Sequence, residues 1–119
     1  MKSLFVAALV CAATATTAFA EPWSVTDGSP AYLKNVWDIA SDKGRLTASA
    51  GVVHQNGDTA RSRRVTFAGV VLNGEYRLSL PASDIGPDCL FVGKLESSGE
   101  IVGVATCGGR SSLWRARRM

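Results

Sequence analysis

The sequence predicts an all-β domain, an up-and-down antiparallel meander of seven or eight strands closed, or nearly closed, into a small barrel with one disulfide. Three observations carry this. From Asn35 onward apolar and polar residues alternate, turn-forming residues recur every eight to twelve positions, and no stretch keeps a helical period. Asn73-Gly74 between two alternating runs is a two-residue hairpin turn, because both positions take positive φ and these residues tolerate it. Placing the turn at Ser97-Ser98-Gly99 brings Cys89 directly opposite Cys107. A β-sandwich is the alternative arrangement of the same strands. The barrel comes first because hairpin-linked strands lose their exposed edges best by closing.

The chain has 119 residues, room for one domain, and at 46% apolar and 19% charged residues it is too apolar for disorder. Its first segment reads as a signal peptide over residues 1–20. Lys2 precedes an apolar run from Leu4 to Ala13, too short to span a bilayer, and Ala18-Phe19-Ala20 is a small-x-small cleavage triplet. Cleavage there leaves one domain, residues 21–119, in the periplasm or secreted, without a stable membrane anchor. Cys11 leaves with the peptide, and Val10 before it is not the small residue that lipid attachment requires. Cys89 and Cys107 remain, an even pair bound for an oxidising compartment, and one disulfide is expected.

Within the mature chain, the sequence leaves open whether Trp23 to Thr26 forms an eighth strand. A four-residue loop at Ser41-Asp42-Lys43-Gly44 would set Trp37 opposite Ala48 and Ile39 opposite Leu46. A turn at Asn56-Gly57 would aim Arg63 inward, opposite Ala50. The Asn73-Gly74 turn pairs Leu72 with Glu75, Val71 with Tyr76, Gly69 with Leu78 and Phe67 with Leu80. The Ser97–Gly99 loop pairs Leu95 with Ile101, Gly93 with Gly103 and Phe91 with Ala105 as well as the cysteines. Closing the loop between Cys89 and Cys107 contributes about 3 kcal/mol on the chain-entropy account. A four-residue loop at Gly108-Gly109-Arg110-Ser111 would set Trp114 opposite Ala105 and beside Phe91. Inward glycines at 69, 93 and 103 let the sheet bend at barrel corners.

Two regions could carry function. The inward aromatics Trp37, Phe67, Tyr76, Phe91 and Trp114 either fill the barrel or wall a cavity for one small ligand, since eight strands enclose just enough room for either. At the end of the barrel that holds the disulfide, His54, Arg61, Arg63, Asp84, Asp88 and Arg110 gather. An inward Arg63 needs an anion, either Asp84 or Asp88, or else a ligand carboxylate or phosphate.

Catalysis is not expected. His54 is the lone histidine and has no nucleophile placed beside it, and Asp84 and Asp88 flank Ile85-Gly86-Pro87 in a turn-like segment. No cofactor or metal motif is present, since there is no glycine-rich phosphate loop, C-x-x-C or calcium loop. Without Lys2, twelve basic residues face ten acidic ones, and a net charge of +2 argues against nucleic-acid binding. The basic residues are clustered, however, at Arg61, Arg63, Arg64 and again at Arg115, Arg117, Arg118.

This pattern resembles small exported barrels of the lipocalin-like and avidin-like kind, and inhibitors of lysozymes or proteases built on similar barrels. The resemblance is architectural and carries no binding residues with it. The inward residues themselves point first to a binding protein for a small apolar or anionic ligand, with Trp37, Tyr76, Phe91 and Trp114 as walls and Arg63 as anchor. The alternative is an interaction module for another exported protein, acting through barrel loops or through Arg115 and Arg117 on the last strand.

Overall fold

The computed structural model describes residues 20–53 and 63–119. The signal-peptide reading, Cys11, His54, the Asn56-Gly57 turn and Arg61 lie outside them. Eight strands follow in chain order: β1 Glu21–Asp27, β2 Leu33–Asp42, β3 Arg45–Val52, β4 Arg64–Leu72, β5 Glu75–Leu80, β6 Cys89–Leu95, β7 Ile101–Cys107 and β8 Arg110–Arg118. Each pairs antiparallel with the next, and β1 pairs with β8, so the sheet is a closed barrel without a free edge. Trp23 and Val25 on β1 are core residues, and the segment the sequence left open forms the strand that closes the ring.

Two of the expected registers hold residue for residue. Leu72 faces Glu75, Val71 faces Tyr76 and Gly69 faces Leu78 around the Asn73-Gly74 turn, whose residues take φ of 53° and 77°. Around Ser97–Gly99, Leu95 faces Ile101, Phe91 faces Ala105, and Cys89 faces Cys107, where the disulfide forms.

Two others differ by two residues, for one reason. Lys43 and Gly44 alone make the β2–β3 turn, with φ of 53° and 83°, and Gly108 and Gly109 alone make the β7–β8 turn, with φ of 56° and 83°. Two-residue turns with positive φ match the right-handed twist of the flanking strands better than the four-residue loops expected there. Trp37 consequently faces Ala50 rather than Ala48, Ile39 faces Ala48 rather than Leu46, and Trp114 faces Gly103 rather than Ala105. The side chains keep their faces, because a slip of two residues preserves the strand's alternation.

The core is apolar and centred on aromatics. Trp37, Phe91 and Trp114 have no exposed surface and Phe67 has 2%. Trp37 meets Phe67 edge-on at 5.1 Å between ring centroids, meets Phe91 edge-on at 4.9 Å, and stacks on Trp114 at 6.2 Å. These are the offset and edge-to-face arrangements that ring quadrupoles favour. Small residues make the room. Ala48 and Ala50 on β3, Ala105 on β7 and Ala116 on β8 are all buried in the core, and a side chain at Gly93 would meet Ile101 and the six-membered ring of Trp114. The β2 register shifts between Leu33 and Trp37, and in that irregular stretch the Trp37 indole N–H donates to the Lys34 carbonyl at 3.2 Å. A donor that burial would otherwise leave unpaired is thereby satisfied.

Candidate functional site

Three places in the fold bear on function: the interior, the disulfide end and the outer wall. The interior is closed at its centre. Exposure to a water-sized probe is zero at Trp37, Phe91 and Trp114, so no space of that size touches the three residues expected to wall a ligand. Tyr76, the fourth wall residue, is half-buried near one mouth, its ring 6.4 Å from that of Trp23. Arg118 covers Trp23 from outside at 5.2 Å, and its Nε lies 3.2 Å from Glu21 Oε1. The Trp114 indole N–H is buried without a hydrogen-bond partner among the described residues.

At the disulfide end the expected inward Arg63 is corrected. Ala50 faces Val65, and Val52 donates its N–H to the Arg63 carbonyl at 2.9 Å. Arg63 therefore sits just past the rim, before β4 begins, where its side chain turns out to solvent and is half exposed. Its anion is Asp84, one of the two carboxylates considered from the sequence. Nη2 donates to Oδ1 at 2.8 Å and Nη1 to Oδ2 at 3.0 Å, a two-pronged pair. This ties the segment between β5 and β6 to the start of β4.

Tyr32, just before β2, lies under the same segment. Its hydroxyl donates to the Pro87 carbonyl at 3.0 Å and stands 4.0 Å from Cys89 Sγ, and its ring occupies the space that a side chain at Gly86 would need. Burial first, then the Asp88 carboxylate, raises the Tyr32 phenol above its ordinary value, so it stays protonated as the donor. Sequence reading passed over Tyr32, because its partners come from a segment more than fifty residues away.

The Arg63–Asp84 pair has a testable pH dependence. The hydrogen bond from Arg63 is the largest cause holding the Asp84 carboxyl below its ordinary value. A depressed folded-state value means the pair is intact above the ordinary carboxylate range and is lost as pH falls through the lower, folded value. An NMR titration of the Asp84 side-chain carboxyl is expected to show a midpoint below that of an unpaired aspartate, returning to the ordinary range in Arg63→Ala. An ordinary midpoint in the native protein would refute the pairing in solution.

On the outer wall, Arg115 and Arg117 project from β8 beside two further kinds of group. Arg117 Nε lies 3.9 Å from Glu100 Oε2. Arg115 makes no ion pair among the described residues, and its Nε is buried without a partner. Next to Arg115 runs a band of exposed apolar side chains that sequence reading did not single out, Leu90 on β6, Val104 on β7 and Leu113 on β8. Its signal was present, since β6 to β8 carry apolar residues at outward as well as inward positions. No group of three or more metal-ligating side chains occurs among the described residues, and no helix there is long and apolar enough to cross a membrane.

The chain matches no family model, and neither the curated proteins nor the solved structures give a match.

Proposed function

We propose that this protein is an exported, disulfide-pinned interaction module that binds another exported protein through the outer wall of its barrel, without a catalytic step. The observation that carries this reading is the packing of Trp37, Phe91 and Trp114 against one another at zero exposure. A centre with no water-sized space beside these rings has no room for a guest there, which favours recognition at the outer surface. A rigid barrel with exposed loops and unpaired cations suits that task. The disulfide and the apolar, short N-terminal segment support export.

Holding a small apolar or anionic ligand is the other reading, with Trp37, Tyr76, Phe91 and Trp114 as walls. It requires the central aromatics to part, and Arg63 to exchange Asp84 for the ligand's anion. The buried Trp114 N–H without a partner is the observation on its side.

Native mass spectrometry of the protein purified gently from its exporting cell separates the two. A second polypeptide retained by the native protein and lost in Arg115→Glu/Arg117→Glu is the expected result. Retained mass of small-molecule size, unaffected by those substitutions, would overturn the interaction reading in favour of a ligand in the barrel.

A further inference from the structure

We infer that the Cys89–Cys107 disulfide is a one-sided exchange site for a small thiol, which attacks the Cys107 sulfur and displaces Cys89. The inference goes beyond the interaction reading above and does not depend on it.

The register sets the bond between two unlike neighbours. Leu80 on β5, Cys89 on β6, Cys107 on β7 and Arg110 on β8 are directly opposed in turn and form one row across four strands. Directly opposed residues share a face of the sheet, so Leu80 lies beyond Cys89 at one end of the sulfur–sulfur bond and Arg110 lies beyond Cys107 at the other. A thiolate displaces one sulfur by attacking the other from behind, along the line of the bond, and the outcome depends on which sulfur can be reached. Behind Cys89 that line is closed, because Cys89 is 2% exposed and Leu80 is 4% exposed. Behind Cys107 it is open, because Cys107 is half-buried and Arg110 is exposed.

The charges around the bond point the same way. Arg110 makes no ion pair among the described residues. Its cation stands beside the sulfur that an incoming thiolate has to reach, the kind of neighbour that favours thiolate chemistry. At the other end, Cys89 leaves into apolar surroundings next to Asp88 in the chain, and both oppose a negative charge. The Tyr32 hydroxyl offsets them. It stands 4.0 Å from Cys89 Sγ while donating to the Pro87 carbonyl at 3.0 Å, so a small rotation turns it from the carbonyl to the sulfur. Burial and Asp88 keep this phenol protonated, and a donor directed at a charged sulfur stabilises it. Asp84, the other carboxylate of this segment, is held by Arg63 and stays out of the exchange.

The step balances without a further oxidant or reductant. A bond forms between the thiolate sulfur and Cys107 Sγ, and the bond from Cys107 Sγ to Cys89 Sγ breaks. The electron pair goes to Cys89, which then takes a proton from water. The products are a mixed disulfide at Cys107 and a thiol at Cys89. Attack of the Cys89 thiolate on Cys107 Sγ expels the small thiol and restores the original bond. Cys107 is thereby a site of reversible modification by a small thiol, placed where the modifying group emerges beside Arg110.

The test is a time course of the native, oxidised mature protein with excess glutathione, stopped with acid. The remaining thiols are then alkylated and the peptides mapped by mass spectrometry. Extrapolated to zero time, the glutathione adduct is expected on Cys107 over Cys89 by more than about ten to one, with the alkyl label on Cys89. In urea the fold no longer shields either sulfur, and the preference should disappear. Two variants, each verified as folded by the dispersed NMR spectrum of its oxidised form, test the neighbours. Arg110→Glu is expected to slow the native reaction about tenfold. Tyr32→Phe, which keeps the ring under Gly86, is expected to slow it severalfold without moving the adduct from Cys107. An adduct formed first on Cys89, an equal division between the two cysteines in the native protein, or no adduct except in urea would overturn the inference. An unchanged rate in Arg110→Glu or a faster one in Tyr32→Phe would overturn the role given to that residue.

Discussion

Trp37→Ala is expected to destabilise the barrel by about 3–5 kcal/mol, the usual cost of deleting a buried tryptophan or phenylalanine from a core. Trp37 is the hub of the aromatic cluster, in contact with Phe67, Phe91 and Trp114, and it has no exposed surface. Its neighbours Ala48 and Ala50 on β3 are too small to collapse into the gap. Domains of this size are stable by about 5–15 kcal/mol in total, so one substitution removes a large fraction. Urea unfolding followed by tryptophan fluorescence should show a lower midpoint with an unchanged slope. A loss below about 1 kcal/mol would mean the interior is loosely packed, and would reopen the barrel to a ligand.

The same experiment separates two tryptophans of similar burial. The Trp37 N–H donates to Lys34, whereas the Trp114 N–H is buried without a partner among the described residues. Replacing Trp37 by phenylalanine discards a hydrogen bond and leaves a carbonyl short of a donor. Replacing Trp114 by phenylalanine removes an unsatisfied group and offsets part of the lost packing. Trp114→Phe is therefore expected to cost less than Trp37→Phe.

Gly103→Ala is the second large effect. Gly103 on β7 faces Gly93 on β6, and a Cβ built on it would run into the Val92 carbonyl and the Gly93 Cα. Both are backbone atoms of a paired strand, so no side chain can swing aside to relieve the overlap. The β6–β7 pairing must open at this point of the disulfide-bearing hairpin, and a loss of about 3 kcal/mol or more is expected, at the upper end for overpacking. Gly51→Ala is the control. A methyl group there would meet only the flexible stem of Lys34, and the change should stay within about 0.5 kcal/mol, as for an ordinary surface position. Equal midpoints for the two variants in urea would show that Gly103 is not a steric requirement of the barrel.

Much of this fold was legible because β-structure repeats every two residues. Face assignment survives errors in register as long as they are even. Trp37 and Trp114 were each paired with the wrong alanine, yet both lie in the core, because the two-residue turns at Lys43-Gly44 and Gly108-Gly109 shift their hairpins by two positions. Arg63 shows the limit of this argument. Alternation would carry it inward opposite Val52, but β4 starts at Arg64, and at the rim a charged side chain turns to solvent and Asp84 instead of the core. Burying it would have meant desolvating a guanidinium for one ion pair.

The outer wall was less legible. Composition showed the arginines of β8 as one cluster, while pairing splits them: Arg117 and Arg118 are held by Glu100 and Glu21, and Arg115 is left over. Which cation remains unpaired depends on which strands become neighbours, and no local pattern states it.

By itself the sequence determined the all-β alternation, the turns at Asn73-Gly74 and Ser97–Gly99, the two registers they set and the disulfide between Cys89 and Cys107. Each follows from interactions within a hairpin, where few residues separate the partners. Only the tertiary structure decided that β1 closes onto β8, that Trp37, Phe91 and Trp114 pack at the centre without exposed surface, and that Tyr32 and the Arg63–Asp84 pair secure the disulfide end. It also gathered the outward apolar residues of β6 to β8 into one row. These depend on filled volume and on neighbours far apart in the chain, quantities that a period of two does not encode.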